Sequence, residues 1–280
     1  MKKLKTIFKR LYRLITKPAM KILPGNIAFF LFLSIIPIIT MIGLCASLFS
    51  ISTDAISNFM QTYFPPAVSN ILTPFLSGQG IDFNVIIFSI TGFMLASNGP
   101  HAIIIATNNL YGSKESSYLK RRIKAFNMTI LMVLLIIFML AFLTFGNSIM
   151  NFLTTNIFGN QNSYIYYLYI FIKWPIAFFF IFFLVKIIYT MAPDERIKSC
   201  YVNRGAVFTT LGWSLVTFIF SYYATNIANY NRFYGNLSSI IILLMWVYII
   251  AYILVIGMAI NLETYHQNME EISKNKIEDK

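Results

Sequence analysis

Apolar residues gather in six long blocks, at about 27–50, 83–106, 125–151, 165–190, 205–228 and 237–262, with polar or charged connections between them. At the helical rise of about 1.5 Å per residue, each block crosses the ~30 Å hydrocarbon core of a bilayer with some tilt. The short alternating segments of an outer-membrane barrel are missing from the sequence. The pattern predicts an all-α polytopic membrane protein of six transmembrane helices over 25–262, with a basic segment 1–24 before them and a polar tail 263–280 after them. Two further periodicities lie outside the blocks. Leu4, Ile7, Phe8, Leu11, Leu14 and Ile15 recur at spacings of three and four opposite Lys and Arg. That spacing predicts an amphipathic helix lying on the inner leaflet; a merely topogenic basic tail is the alternative. In the first outer loop, 51–82, Pro65-Pro66 separates Ile56, Phe59, Met60 and Tyr63 from Val68, Ile71, Leu72 and Phe75, which predicts two short interfacial helices.

Charge sets the orientation. Eight of the 22 Lys and Arg fall in the first 21 residues. Lys114, Lys120, Arg121, Arg122 and Lys124 follow the second block, Arg196, Lys198 and Arg204 follow the fourth, and Lys274, Lys276 and Lys280 lie in the tail. The alternate connections hold Arg232 alone. Short loops rich in Lys and Arg stay cytoplasmic, so both termini are expected inside a bacterial cytoplasmic membrane. Tyrosines agree: Tyr164, Tyr166, Tyr167 and Tyr169 mark the expected outer end of the fourth block, and Tyr222, Tyr223, Tyr230 and Tyr234 those of the fifth and sixth. The apolar stretch after the basic start outruns a signal-peptide h-region, so no cleavable leader is expected. With 58% hydrophobic and 11% charged residues the chain stands far from soluble composition, where about a quarter is charged. The net charge of +12 is distributed as topology requires, so membrane lipids, anionic ones above all, are the expected partners and nucleic acid is not.

Catalytic chemistry finds little support. Two histidines, His101 and His266, two separated cysteines, and ten acids lying almost entirely in loops and tail supply no metal-ligand cluster, and no hydrolase or nucleotide motif is present. No catalytic residue, metal or cofactor is expected. Polar groups inside the blocks are the candidates, because a charge in hydrocarbon costs a few kcal/mol or more. Lys173, before Trp174-Pro175, can present a cation to an anionic substrate or snorkel to the outer headgroups. Lys186 sits near the inner end, where snorkelling is the stronger reading. Pro37, Gly99, Pro100 and Pro175 mark helix breaks or hinges, and Ser34 can satisfy a freed carbonyl or bond to a neighbouring helix. Beside the second break, His101 has both a phosphate-binding and a structural reading. At the start of the last block, Gly235-Asn236 predicts a sharp turn, and Asn236 or Ser238 can cap a helix N-terminus that favours an anion close to Arg232.

These residues resemble the YihY/BrkB family of bacterial inner-membrane proteins. The resemblance rests on Ala28-Phe29 and the run Leu33-Ser34-Ile35-Ile36-Pro37, then Tyr189 to Pro193-Asp194 with one extra spacer, then Gly205, Gly212-Trp213, Tyr234-Gly235-Asn236-Leu237-Ser238, Leu244-Met245-Trp246-Val247-Tyr248 and Gly257-Met258-Ala259-Ile260-Asn261. It implies a six-span fold. The family's former ribonuclease BN label is regarded as a misassignment, and some members are linked to envelope or lipid traits. Ala259 departs from the pattern, which often has a glutamate there. The expected function is transport of an anionic, lipid-like substrate bound by Lys173, Arg232, Asn236 and Ser238. The alternative is a non-transporting scaffold that binds anionic lipid, a protein partner or a second copy of the chain; a membrane hydrolase is the least supported reading.

Overall fold

The computed structural model describes residues 16, 18–48, 53–63, 66–73, 83–113, 116–152, 163–226 and 234–278, and every element among them is helical. The elements are α1 (Pro18–Leu48), α2 (Thr53–Tyr63), α3 (Pro66–Leu72), α4 (Phe83–Ala96), α5 (Asn98–Tyr111), α6 (Tyr118–Phe152), α7 (Ser163–Met191), α8 (Asn203–Asn226) and α9 (Ser238–Glu278), with a 3-10 turn at Gly235–Leu237 leading into α9. The predicted amphipathic helix at 4–15 lies outside the described residues.

Four stretches among the described residues are long and apolar enough to cross a membrane: Met20–Gly43, Tyr118–Met139, Asn203–Asn226 and Ser238–Met269. Their outward positions carry large apolar side chains, with Phe218 76%, Leu215 60% and Phe138 60% exposed. Such a surface is a liability in water and is satisfied by lipid tails. The protein is membrane-embedded. Pro175–Met191 of α7 adds a shorter apolar stretch. The second predicted block is divided at Ser97 into α4 and α5, of 14 residues each. Each half spans about 21 Å and cannot cross alone. The cause is local: Pro100 has no amide hydrogen, so the ladder loses a bond where Gly99 adds freedom.

The core is built around α1 and α9. α1 packs on α9, α4, α5 and α6, while α9 also packs closely on α8. Ala251, Leu254, Val255, Met258 and Ala259 recur at spacings of one and three and are essentially without exposure, forming the buried stripe of α9. α2 and α3 lay Ile56, Met60 and Val68 against the same core.

Cys200 is free and exposed in the basic connection between α7 and α8. In a chain with Cys45→Ala, a membrane-impermeant maleimide is expected to label Cys200 in inverted vesicles and not in intact cells. Labelling from outside would reverse the orientation inferred from the charges.

Candidate functional site

Polar side chains meet inside this apolar bundle in three places. The first is the break between α4 and α5. Gly99 N–H, whose regular ladder partner is the Leu95 carbonyl, donates instead to Ser34 Oγ of α1 at 3.1 Å. The Ser34 hydroxyl lies 3.2 Å from that Leu95 carbonyl and 2.7 Å from the Phe30 carbonyl, and its one proton serves either. The hydroxyl is thus inserted into the ladder of a neighbouring helix. From the other side Arg122 of α6 donates to the Asn98 Oδ1 at 2.7 Å and the Met94 carbonyl at 3.0 Å, with its guanidinium 4.9 Å from the Phe126 ring centroid. A Cβ at Gly99 would press on Leu31 and Ser34, 3.0 and 3.2 Å away, and these would have to give way slightly. Next to the break, the His101 ring stands edge-on to Tyr118, 5.7 Å between centroids.

The second is a clasp at the basic end of the bundle, where α5, the start of α6 and the segment after α7 converge. Asp194 Oδ2 accepts from Asn108 Nδ2 at 2.8 Å, Ser116 Oγ at 2.9 Å and Ser116 N–H at 3.1 Å. Its Oδ1 pairs with Lys124 Nζ at 2.9 Å, and the same ammonium donates to the Ala192 and Pro193 carbonyls at 2.9 and 2.6 Å. Asp194 N–H returns a bond to Asn108 Oδ1 at 2.9 Å. Burial pushes the Asp194 carboxyl up, but the hydrogen bonds from Lys124 and Ser116 outweigh it and hold the group below its ordinary value.

The third is a seam between α7, α8 and α9. Tyr189 OH lies 2.5 Å from Thr209 Oγ1 and donates to the Leu254 carbonyl at 2.8 Å; Tyr189 and Thr209 are both buried. Gly205 N–H at the start of α8 donates to Asn261 Oδ1 at 2.8 Å. A Cβ at Gly205 would collide with the Gly257 carbonyl and Asn261, and one at Gly257 with Thr209 and Tyr189. Glycine at both places lets the backbones approach closely enough for these bonds. Farther along, Trp213 Nε1 donates to the Ile250 carbonyl at 3.0 Å and Trp246 Nε1 to Thr217 at 3.3 Å.

The residues singled out in the sequence fall unevenly on these places. Ser34, Gly99 and Pro100 meet at the break; Pro193 is in the clasp; Gly257 and Asn261 are in the seam, with Trp246 along it. Pro37 is buried in α1 with its Cβ against the space beside Gly92, and Pro175 is exposed in α7. Gly235 has φ +53°, so the turn before α9 uses the left-handed region that favours glycine. Tyr234 is exposed there and Ser238 is buried. Arg232, the Lys173 side chain and the Asn236 side chain lie outside the described residues. Lys186 sets its ammonium 5.9 Å from the Phe182 ring centroid, one turn back on α7. Nothing in the sequence alone marks Asn108, Ser116 or Thr209 as site residues. Lys124 and Arg122 are read from sequence only as topological charges. The available signal is the acidic pair Asp194-Glu195, set in a connection that also carries Arg196 and Lys198. Among the described residues no group of three or more His, Cys, Asp or Glu is placed to hold a metal ion.

Comparison with known proteins gives a consistent result. The family model described as Virulence factor BrkB matches residues 16–280. The chain is 26% identical over 245 residues to a ribonuclease-like protein, YfkH, of Bacillus subtilis, covering 85% of this chain and 87% of that protein. It is 27% identical over 250 residues to a UPF0761 membrane protein of Vibrio atlanticus, covering 83% and 74%. Over 105 residues it is 34% identical to a UPF0761 membrane protein of Idiomarina loihiensis, 36% of each chain. No solved structure matches.

Two outcomes follow from the geometry. Gly205→Ala or Gly257→Ala is expected to cost about 1–3 kcal/mol through forced separation of α8 and α9, read as a lowered Tm in detergent. Gly25→Ala, with open space around it, should leave Tm unchanged. Asp194→Asn should cost about 2–4 kcal/mol at neutral pH, because Lys124 keeps its buried carbonyl partners but loses its counter-charge. The folded carboxyl titrates below its ordinary value, so its stabilisation is present above that value and is lost as pH falls through the lowered one. Melts from pH 7 down to about 3 should show this acid loss in the wild type and a smaller one in Asp194→Asn.

Proposed function

Because the chain belongs to the BrkB family of membrane proteins, we propose that it is a multi-pass transporter that carries an anionic, lipid-like amphiphile across the bacterial cytoplasmic membrane. The observation that carries this reading is the divided helix α4–α5, whose freed backbone groups are met by Ser34 and Arg122 from two other helices. Discontinuous helices stitched by their neighbours are the usual hinges and site walls of membrane transporters. The break is linked through α6, which carries both Arg122 and Lys124, to the Asp194–Lys124 clasp, and the clasp joins three elements at the basic end and can close or release that end as a unit. In this reading six spans place both termini in the cytoplasm, supported by the asymmetry of Lys and Arg between alternate connections. The substrate anion is received in the outer half by Lys173, Arg232 and the start of α9 at Asn236 and Ser238. That assignment is supported by the scarcity of cations there and by the preference of a helix N-terminus for negative charge. No step of the reading is enzymatic.

The second reading, a lipid- or protein-binding scaffold, draws on the exposed basic side chains Lys120, Arg196, Lys198 and Arg204. Reconstitution separates the two. In vesicles holding a fluorescent phosphatidylglycerol, the wild type is expected to speed movement of the label between leaflets well above protein-free vesicles. Lys173→Gln/Arg232→Gln should bring it back toward that background, and Ser34→Ala should lower it by about tenfold. Movement no faster than in protein-free vesicles overturns transport of this substrate class and leaves the scaffold reading.

A further inference from the structure

One cavity takes no part in the break, the clasp or the seam. It is a groove of about 520 Å³ where the start of α1 meets the middle of α9, lined by Thr16, Met20, Lys21, Tyr248 and Tyr252. Its size falls within the range of small-ligand sites. Tyr248 and Tyr252 lie one turn apart on α9, their rings 6.3 Å between centroids and inclined at 37°. Lys21 is exposed and Tyr248 is 44% exposed, so the groove opens to the outside of the bundle. No acidic residue lines it.

Its placement along the bundle matters as much as its lining. Asn261 marks the basic end of α9 through its bond to Gly205. Tyr252 and Tyr248 stand nine and thirteen residues before Asn261, about 14 and 20 Å up the helix. The groove therefore lies beside the apolar length of α9 that lipid tails cover, with the exposed Lys21 in the first turn of α1 as its cation. A soluble anion has no use for that depth, whereas an amphiphile fits it: a phosphate meets the Lys21 ammonium and the tyrosine hydroxyls, and the adjoining carbons meet Met20 and the ring faces. The charge argues for an anionic lipid over a zwitterionic one, whose own cation would crowd Lys21. Seven further Lys and Arg in the first 17 residues draw anionic lipid toward the same part of the chain.

We propose that the groove formed by Thr16, Met20, Lys21, Tyr248 and Tyr252 is a binding site for the phosphate headgroup of an anionic phospholipid. It is a different site from Lys173 and Arg232 and involves no transport, so either proposal can fail alone. The test uses the full chain in nanodiscs of equal phosphatidylglycerol and phosphatidylcholine, with retained lipids read by native mass spectrometry and folding read by thermal melts. The wild type is expected to retain phosphatidylglycerol in preference to phosphatidylcholine. Lys21→Gln should lower that retention roughly fivefold, the worth of one basic residue at an anionic surface. Tyr248→Phe/Tyr252→Phe, which keeps the ring contacts, should lower it as well while the melt stays at the wild-type value. Retention equal to wild type in both variants overturns the site. Inorganic phosphate that displaces phosphatidylglycerol and raises Tm in the wild type but not in Lys21→Gln would assign the groove to a free anion and overturn the lipid.

Discussion

A backbone amide left without a partner in hydrocarbon costs several kcal/mol, and this bundle meets that constraint at its weakest point with side chains from elsewhere in the chain. The α4–α5 ladder is interrupted at Ser97, ahead of Gly99-Pro100, and the hydroxyl of Ser34 takes the place of the missing turn, accepting from Gly99 and facing Leu95. Arg122 takes the adjacent Met94 carbonyl. A defect in one helix thereby ties α1, α4, α5 and α6 together, and α9 is in turn the main partner of α1.

Away from the break, two kinds of adhesion divide the work. Inside the bundle, α8 and α9 are joined by closeness: Gly205 and Gly257 remove side chains so that Asn261, Thr209 and Tyr189 can reach backbone and hydroxyl groups. Without a hydrophobic force between helices in lipid, such packing and the bonds it permits supply the association. At the basic end the joint is charged, and Lys124 and Asp194 each keep part of their side chain exposed. The clasp can answer to conditions outside the bilayer in a way that the seam cannot. Ala259, fully buried on the α9 stripe, keeps this part of the helix apolar.

What was legible in the sequence is what depends on each segment alone. Desolvation acts on every apolar block separately, so the helices of α1, α6, α8 and α9 can be read from block length, and Gly99-Pro100 identifies a break without any knowledge of its neighbours. Partnerships are different. Ser34 is visible as a hydroxyl in an apolar run, but its bond to Gly99 joins positions 65 residues apart. Lys124 and Asp194 are 70 residues apart and sit in stretches whose basic side chains already have a topological explanation, which hid their pairing. Gly205 and Gly257 are recognisable as family positions, yet only their facing placement explains why neither tolerates a methyl group.

The length of α9 has a mechanical consequence. Its 41 residues make a rod of about 62 Å, twice the hydrocarbon thickness. With Gly257 held in the seam as a fulcrum, the 21 residues beyond it form an arm of roughly 31 Å. A rocking of only about 10° at that fulcrum displaces the far end by roughly 5 Å. Small rearrangements among the packed helices are thus magnified into a movement that a binding surface at the C-terminal end would register.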